Sequence, residues 1–212
     1  MNILKQEVIP LHALPVFKES TDFVLTKDEM NIVTSEEYRD GTEGEGVKLT
    51  KSDKVLENEK LERVKIFILS RFSNYVNKVL AIKNSFYLTQ SWCAKNGKGS
   101  SHHLHTHPNT ILSCIYYACA NEDNGGDLRL QMDRSRLQEA FYIRYEKLED
   151  NIFNAPSIDL PVKTGDLVMF PGWISHKSTP NESDEDRIII GTNYFITGKF
   201  GHQKTKDYIE IG

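Results

Sequence analysis

The sequence lacks the features that mark several large functional classes. No apolar run approaches the roughly 20 residues that a membrane-spanning helix needs, and the first residues show neither the apolar stretch nor the cleavage site of a signal peptide. Basic residues number 26 against 30 acidic ones, so with a formal net charge of −4 no general basic field attracts nucleic acid. We therefore expect a cytoplasmic protein with no membrane partner and no supported nucleic-acid partner.

Cysteine is also scarce. The three cysteines, Cys93, Cys114 and Cys119, show neither CxxC nor zinc-finger spacing. An odd number without such spacing indicates reduced thiols inside a cell. Side chains of this kind usually lie in the core, so we expect neither a disulfide framework nor a cysteine-ligated metal.

The amino-terminal part carries two helical patterns. Residues 8–17 predict a short strand or extended arm, residues 26–38 a modest helix started by Thr26, and residues 37–54 a mobile polar loop. The clearest helix covers residues 57–80, where apolar side chains recur at three- and four-residue steps and form one stripe. A helix of this kind usually packs against a sheet.

From residue 85 onward, short β-type segments alternate with turn residues. They cover residues 86–94, 110–120, 127–132, 141–147, 157–162, 166–172 and 187–196. This order predicts a mostly β protein with flanking helices (α+β), in which a long helix braces a barrel or jelly roll. We expect a single domain over residues 1–212, with a strand and helical segment at 1–84, the β core at 85–198 and a short carboxy-terminal tail.

Histidines cluster in one predicted loop, at positions 102, 103, 105 and 107. In an extended chain, residues two apart point to the same side, so His105 and His107 can face one ion. Pro108 favours this arrangement because the residue before a proline is held extended. His103 and His105 form a competing pair with the same spacing, and a solvated polar turn is the bland interpretation of the whole cluster. His102 and His103 are expected to be solvated.

A third histidine lies far downstream. His176 follows the strand predicted at residues 166–172, so two histidines from one loop and one from another strand would leave open positions on a shared ion. Open positions are typical of catalytic rather than structural metal sites. Arg187 then begins an apolar run, and a buried guanidinium needs an anionic partner such as a carboxylate. A structural ion pair with Glu182, Asp184, Glu185 or Asp186 is the competing interpretation.

Four segments in this order carry a family resemblance: LTQSWC, HTHPNTILSCIYY, GDLVMFPGWISHKSTPN and RIIIGTNYF. Over residues 86–195 the chain resembles the iron- and 2-oxoglutarate-dependent oxygenases, and in particular members of unassigned substrate from marine phages and bacteria. The resemblance implies a double-stranded β-helix (jelly-roll, cupin-like) core. It also implies a dioxygenase that uses Fe(II), 2-oxoglutarate and O2, hydroxylates an unidentified substrate and releases succinate and CO2, in the host cytoplasm if phage-encoded.

The resemblance also implies roles for individual residues. His105, His107 and His176 would hold Fe(II), and Arg187 would bind the distal carboxylate of 2-oxoglutarate. The remaining implied contacts fall into two groups: Tyr116, Tyr117 and Asn193 as cofactor-binding or orienting residues, and Asn109, Trp173 and Lys177 as substrate contacts. Only one of the two tyrosines can point inward on a strand.

One departure from the wider family concerns the second metal ligand. That ligand is usually a carboxylate, whereas position 107 is a histidine. A site of three histidines accepts Fe(II) but also suits zinc. A zinc-dependent or other cupin-like metalloenzyme, and a non-catalytic phage β-sandwich used for binding or structure, therefore stay open as alternatives.

Overall fold

The computed structural model describes residues 15–41, 46–131, 148–149, 151 and 155–212. Two α-helices are present in these ranges, α1 (Lys27–Ser35) and α2 (Glu62–Asn74). The strands are β1 (Phe17–Ser20), β2 (Tyr38–Asp40), β3 (Val47–Thr50), β4 (Ser85–Asn96), β5 (Leu112–Cys119), β6 (Leu128–Gln131), β7 (Ser157–Leu160), β8 (Asp166–Pro171), β9 (Ser175–Ser178), β10 (Arg187–Phe200) and β11 (Ile209–Ile211). The predicted mostly β class with flanking helices is confirmed.

The strands form two antiparallel sheets. The larger sheet has the order β1-β8-β5-β10-β4-β3-β2, with β11 paired to β10, and the smaller sheet has the order β7-β6-β9. Apolar side chains of β5 and β8 pack against those of β6 to form a core between the sheets. A second core lies on the outer face of the larger sheet, beneath α2.

Strand β5 is buried along nearly its whole length because both of its faces are covered. Alternate residues point to opposite sides of a strand. Cys114 and Tyr116 therefore join the core beneath α2, whereas Ile115 and Tyr117 join the core between the sheets. This alternation decides which side chains of β5 can reach the space between the two sheets.

The predicted helices are present, with changed ends. Helix α1 begins at a capping box, in which the backbone N–H of Glu29 donates to Thr26 Oγ1 and the backbone N–H of Thr26 donates to Glu29 Oε2. Helix α2 is preceded by a 3-10 turn and followed by a π-helical turn, Tyr75–Val79. Its apolar stripe packs on the larger sheet, as the spacing predicted.

The prediction of a mobile loop at residues 37–54 is wrong for the part that the structure describes. Strands β2 and β3 lie there, and β3 pairs with β4 through Val47, Lys48 and Leu49. The sequence did not predict this pair of strands because the segment is polar and contains glycine, and because few of its apolar residues face inward. The strand predicted at 141–147 and most of the arm predicted at 8–17 lie outside the described residues.

The cysteine prediction agrees with the structure. Cys93 and Cys114 are buried, Cys119 is partly buried, and all three thiols are free. Within the described ranges, no helix has the length and apolar character needed to cross a membrane.

Candidate metal centre and active site

Backbone hydrogen bonds bring the histidine loop and strand β9 together. The N–H of His105 donates to the carbonyl of His176 (3.0 Å), and the N–H of His176 donates back to the carbonyl of His105 (2.9 Å). The N–H of His107 donates to the carbonyl of Gly172 (2.8 Å). The main chain therefore holds all three residues in place independently of their imidazole rings.

Two of the imidazoles have their tautomer set by a carbonyl group. His105 Nδ1 lies 2.8 Å from the carbonyl oxygen of His103, and His176 Nδ1 lies 2.9 Å from that of Ile174. A carbonyl oxygen can only accept, so each Nδ1 carries the proton and each Nε2 keeps its lone pair.

The third imidazole is oriented by a side-chain network. His107 Nδ1 lies 2.7 Å from both Asn193 Oδ1 and Ser113 Oγ, and Ser113 Oγ donates to Asn193 Oδ1 (3.0 Å). Asn193 Nδ2 donates to Gln90 Oε1 (3.0 Å), which leaves Asn193 Oδ1 as the acceptor facing His107. His107 therefore also carries its proton on Nδ1 and presents an Nε2 lone pair.

The three imidazoles converge on a common point. One ring nitrogen from each of His105, His107 and His176 lies within 4.8 Å of the others, and the Nε2 atoms of His105 and His107 are 3.3 Å apart. Two nitrogen lone pairs at that distance repel each other unless a cation lies between them. The donor set therefore fits a divalent transition-metal ion.

Burial keeps these imidazoles neutral. Loss of solvent lowers the pKa of His107 to about 4, lowers that of His105, and lowers that of His176 well below its ordinary value. Proximity to the other histidines acts in the same direction. A neutral imidazole is the form that ligates a metal, so near neutral pH the triad is ready to bind an ion.

Arg187 lies at the start of β10 and is only 2% exposed. Its Nη1 donates to the carbonyl of Gly125 (3.0 Å), while its Nη2 is buried without a hydrogen-bond partner among the described residues. Among the described residues, none of the four predicted acidic partners forms an ion pair with Arg187, and two of them, Asp184 and Asp186, pair instead with Lys98 and Lys95. A buried, half-satisfied guanidinium is a site for an anion.

A narrow pocket of about 50 Å³ joins Arg187 to the histidines. Tyr117 lines this pocket, and burial raises the pKa of its phenol. Tyr116 does not: its hydroxyl donates to the carbonyl of Phe23 (3.0 Å) on the opposite face of the sheet. The suggestion that Tyr116 binds the cofactor is therefore wrong, because strand alternation sends only Tyr117 to this side.

A larger cleft of about 760 Å³ also borders His105 and His107. It is bounded by the histidine loop, by β3 with the residues that follow it, and by Gln90, Trp92 and Asn193. The Trp92 ring lies edge-on to His107 (5.5 Å between centroids) and borders both cavities. It occupies the space above Gly191, where a Cβ atom would lie 2.5 Å from the indole.

The three residues predicted to contact the substrate lie in different places in the structure. Asn109 lines the large cleft and adopts a left-handed backbone conformation with φ 57°. Lys177 lines the narrow pocket instead. Trp173 is 56% exposed and lies outside the residues that line either cavity, so the structure does not place it at the site.

Sequence reasoning missed three residues near the triad. His102 was expected to be solvated, yet it is half-buried, lines both cavities and lies 4.3 Å from His105 between ring centroids. The other two residues, Gln90 and Ser113, contact Asn193 and show no local pattern that predicts a role at the site. The register of three strands brings Gln90 and Ser113 to Asn193, and no local pattern reveals that register.

Comparisons with known proteins agree with this geometry. The family model described as "Putative 2OG-Fe(II) oxygenase" matches residues 90–193. No curated protein matches.

Solved structures share the fold. A prolyl-4-hydroxylase from Pseudomonas putida is 15% identical with a TM-score of 0.57, covering 87% of this chain and 94% of that one. HygX from Streptomyces hygroscopicus, with nickel and 2-oxoglutarate bound, is 10% identical with a TM-score of 0.60, covering 85% and 82%. A 2OG-Fe(II) oxygenase-family oxidoreductase from Burkholderia pseudomallei is 8% identical with a TM-score of 0.58, covering 84% and 83%. The two packed sheets are therefore those of the double-stranded β-helix.

Proposed function

We propose that this chain is a dioxygenase of the 2-oxoglutarate- and Fe(II)-dependent oxygenase family, whose model matches residues 90–193, and that it hydroxylates an unidentified substrate. 2-Oxoglutarate and O2 would be consumed, and succinate and CO2 released. One observation carries the proposal: three oriented, neutral imidazoles border the same narrow pocket as a buried guanidinium whose Nη2 has no partner among the described residues.

His105, His107 and His176 would hold the iron through Nε2. Imidazole is a good ligand for Fe(II), and three neutral ligands leave the charge of the ion uncompensated until an anion arrives. Iron, when bound, supplies the redox centre at which dioxygen is activated. The chain contributes ligand orientation: His103 and Ile174 carbonyls and the amide of Asn193 keep each Nδ1 proton away from the centre.

2-Oxoglutarate would occupy the narrow pocket. Arg187 Nη2 is the donor available for the distal carboxylate, and the Tyr117 hydroxyl is placed to share it. Asn193 acts through His107 rather than on the cosubstrate. The structure of HygX, which has the same fold and holds nickel and 2-oxoglutarate, supports a site of this kind in this chain.

The primary substrate would enter by the large cleft, opposite the cosubstrate. The cleft reaches His105 and His107 directly, and Asn109 at its edge is the predicted contact that lies there. Trp92 separates the two cavities and shields the triad from part of the solvent. Lys177 belongs to the cosubstrate side of the site.

The proposal is tested without knowing the substrate. Under anaerobic conditions, Fe(II)-loaded protein titrated with 2-oxoglutarate should develop a weak visible absorption band, and in air it should slowly release succinate. No band and no succinate together with tight zinc retention would favour the zinc enzyme. Binding of neither metal nor 2-oxoglutarate would favour a non-catalytic module.

A further inference from the structure

Two histidines next to the triad take no part in the proposed chemistry. His102 and His103 are both half-buried, and in the part of the chain that the structure describes neither imidazole has a hydrogen-bond partner. The loop main chain around them is nevertheless ordered by contacts to β9: the N–H of His102 donates to Ser178 Oγ (2.7 Å), and the N–H of Ser178 donates to the carbonyl of His102 (3.3 Å).

His102, His103 and His105 form a group as compact as the triad. One ring nitrogen from each lies within 4.8 Å of the others. Their ring centroids are 4.3, 5.0 and 5.2 Å apart, against 4.3, 4.9 and 5.3 Å within the triad. By the same measure, both groups can surround one ion.

We propose that His102, His103 and His105 form a second, overlapping metal position that takes a divalent ion with a preference for imidazole, such as Zn²⁺, Co²⁺, Ni²⁺ or Cu²⁺. His105 Nδ1 is engaged by the carbonyl of His103, so only His105 Nε2 can ligate. A single lone pair serves one ion, and the two positions therefore exclude each other.

The second position is the weaker one. Each imidazole of the triad has its Nδ1 proton held by an acceptor, whereas in the second group only His105 is held in this way. Free rings must be ordered when an ion binds, which lowers affinity. Nitrogen ligands also bind Co²⁺, Ni²⁺, Cu²⁺ and Zn²⁺ more tightly than Fe²⁺. Such an ion therefore fills the triad first, and the second position is observed only where the triad cannot bind.

A Co²⁺ titration of the full-length His107→Asn/His176→Asn variant isolates the second position, because both changes fall outside it. We expect one equivalent of Co²⁺ to bind, with the visible absorption bands of a nitrogen-ligated ion. Adding His103→Asn should lower Co²⁺ affinity by roughly 100-fold or more. Removing a residue that only orients a metal ligand already costs 10- to 100-fold, and removing the ligand itself should cost at least as much.

The matched control is His202→Asn in the same background. His202 is exposed near the carboxy terminus and belongs to neither group, so Co²⁺ binding should be unchanged. If that double variant does not fold, His107→Gln/His176→Gln, whose side chains fill more of the imidazole volume, carries the same comparison.

A folded double variant that binds no Co²⁺ would overturn the proposal, as would binding that survives His103→Asn. These outcomes concern the second position only. The absorption band of wild-type protein with Fe(II) and 2-oxoglutarate tests the proposed oxygenase separately.

Discussion

The two cavities that meet at the histidines are built differently. The narrow pocket is about 50 Å³ and is lined mainly by side chains of β4, β5, β6, β9 and β10, with Arg187 and Tyr117 buried in it. The large cleft is about 760 Å³, and much of its lining comes from the histidine loop and from the residues around β3. Sheet strands hold groups rigidly, whereas loops vary more readily. For the proposed oxygenase, this difference would mean a rigid binding site for 2-oxoglutarate beside a more variable site for the primary substrate.

Removing a triad ligand should give the largest expected effect on ligand binding, because the metal that the triad would hold borders both cavities. His176→Ala should lower the affinity for Fe²⁺ by more than about 100-fold, since even loss of a group that orients a ligand costs 10- to 100-fold. A metal titration followed by absorption and calorimetry measures this. His202→Ala, an exposed histidine change, should bind metal as wild type does, and equal losses in both variants would refute the assignment.

Removing the guanidinium should affect the narrow pocket alone. Arg187→Met should weaken 2-oxoglutarate binding by about 2–5 kcal/mol, the usual cost of truncating one partner of a buried charged pair. Calorimetric titration of metal-loaded protein measures the loss. Metal affinity should stay unchanged, because Arg187 does not contact the triad nitrogens.

Lys98→Met is the control for Arg187→Met. Lys98 is an exposed cation paired with Asp184, so its loss should not alter 2-oxoglutarate affinity. Undiminished cosubstrate binding by Arg187→Met would remove the narrow pocket from the proposed site.

A smaller effect is expected from the amide that orients His107. Asn193→Ala should reduce metal affinity by about 10- to 100-fold, because the Nδ1 proton of His107 then loses its side-chain amide acceptor. Asn193→Asp keeps the acceptor oxygen and should recover most of the affinity. Thr89→Val, which removes only a hydrogen bond to the backbone carbonyl of Asn193, should change protein stability but not metal binding.

The smallest effect distinguishes two adjacent tyrosines. Tyr117→Phe should weaken 2-oxoglutarate binding by about 1 kcal/mol, roughly fivefold, by removing one hydrogen bond to the carboxylate. Tyr116→Phe should leave that binding unchanged and lower the free energy of unfolding by a similar amount, because its hydroxyl bonds to Phe23 in the core beneath α2. The 2-oxoglutarate affinity and the denaturant unfolding curve of each variant provide the test. Weaker 2-oxoglutarate binding by Tyr116→Phe, with unchanged binding by Tyr117→Phe, would contradict the orientation of β5.

The convergence of the candidate ligands and Arg187 on one pocket could be predicted because each of these residues has a local signal. His105 and His107 are two residues apart before a proline, and His176 and Arg187 flank or begin apolar strands. The choice between Tyr116 and Tyr117 needed the direction of β5, which depends on where α2 packs.

The supporting network could not be predicted, because it depends on pairing between strands far apart in sequence. Gln90 and Ser113 meet Asn193 only through the register of β4 and β5 with β10. Strand β9 was also not predicted, because its four residues, Ser175–Ser178, are mostly polar. They are held extended by pairing with β6 and with His105. In the same way, β2 and β3 have too few apolar residues to form a recognisable β pattern.

The main-chain anchors of the histidine loop have a consequence for how such sites diverge. The backbone N–H of residue 107 donates to the carbonyl of Gly172, and His105 is held by its paired backbone bonds to His176. These bonds involve no side chain, so the backbone of the loop keeps its conformation whatever side chain position 107 carries. An aspartate there would keep the same main-chain anchors, but it would change the charge offered to the ion and lose the contacts that the imidazole makes to Asn193 and Ser113. Exchange between imidazole and carboxylate at this point is then a one-residue substitution, open to evolution and to the protein engineer without refolding the loop.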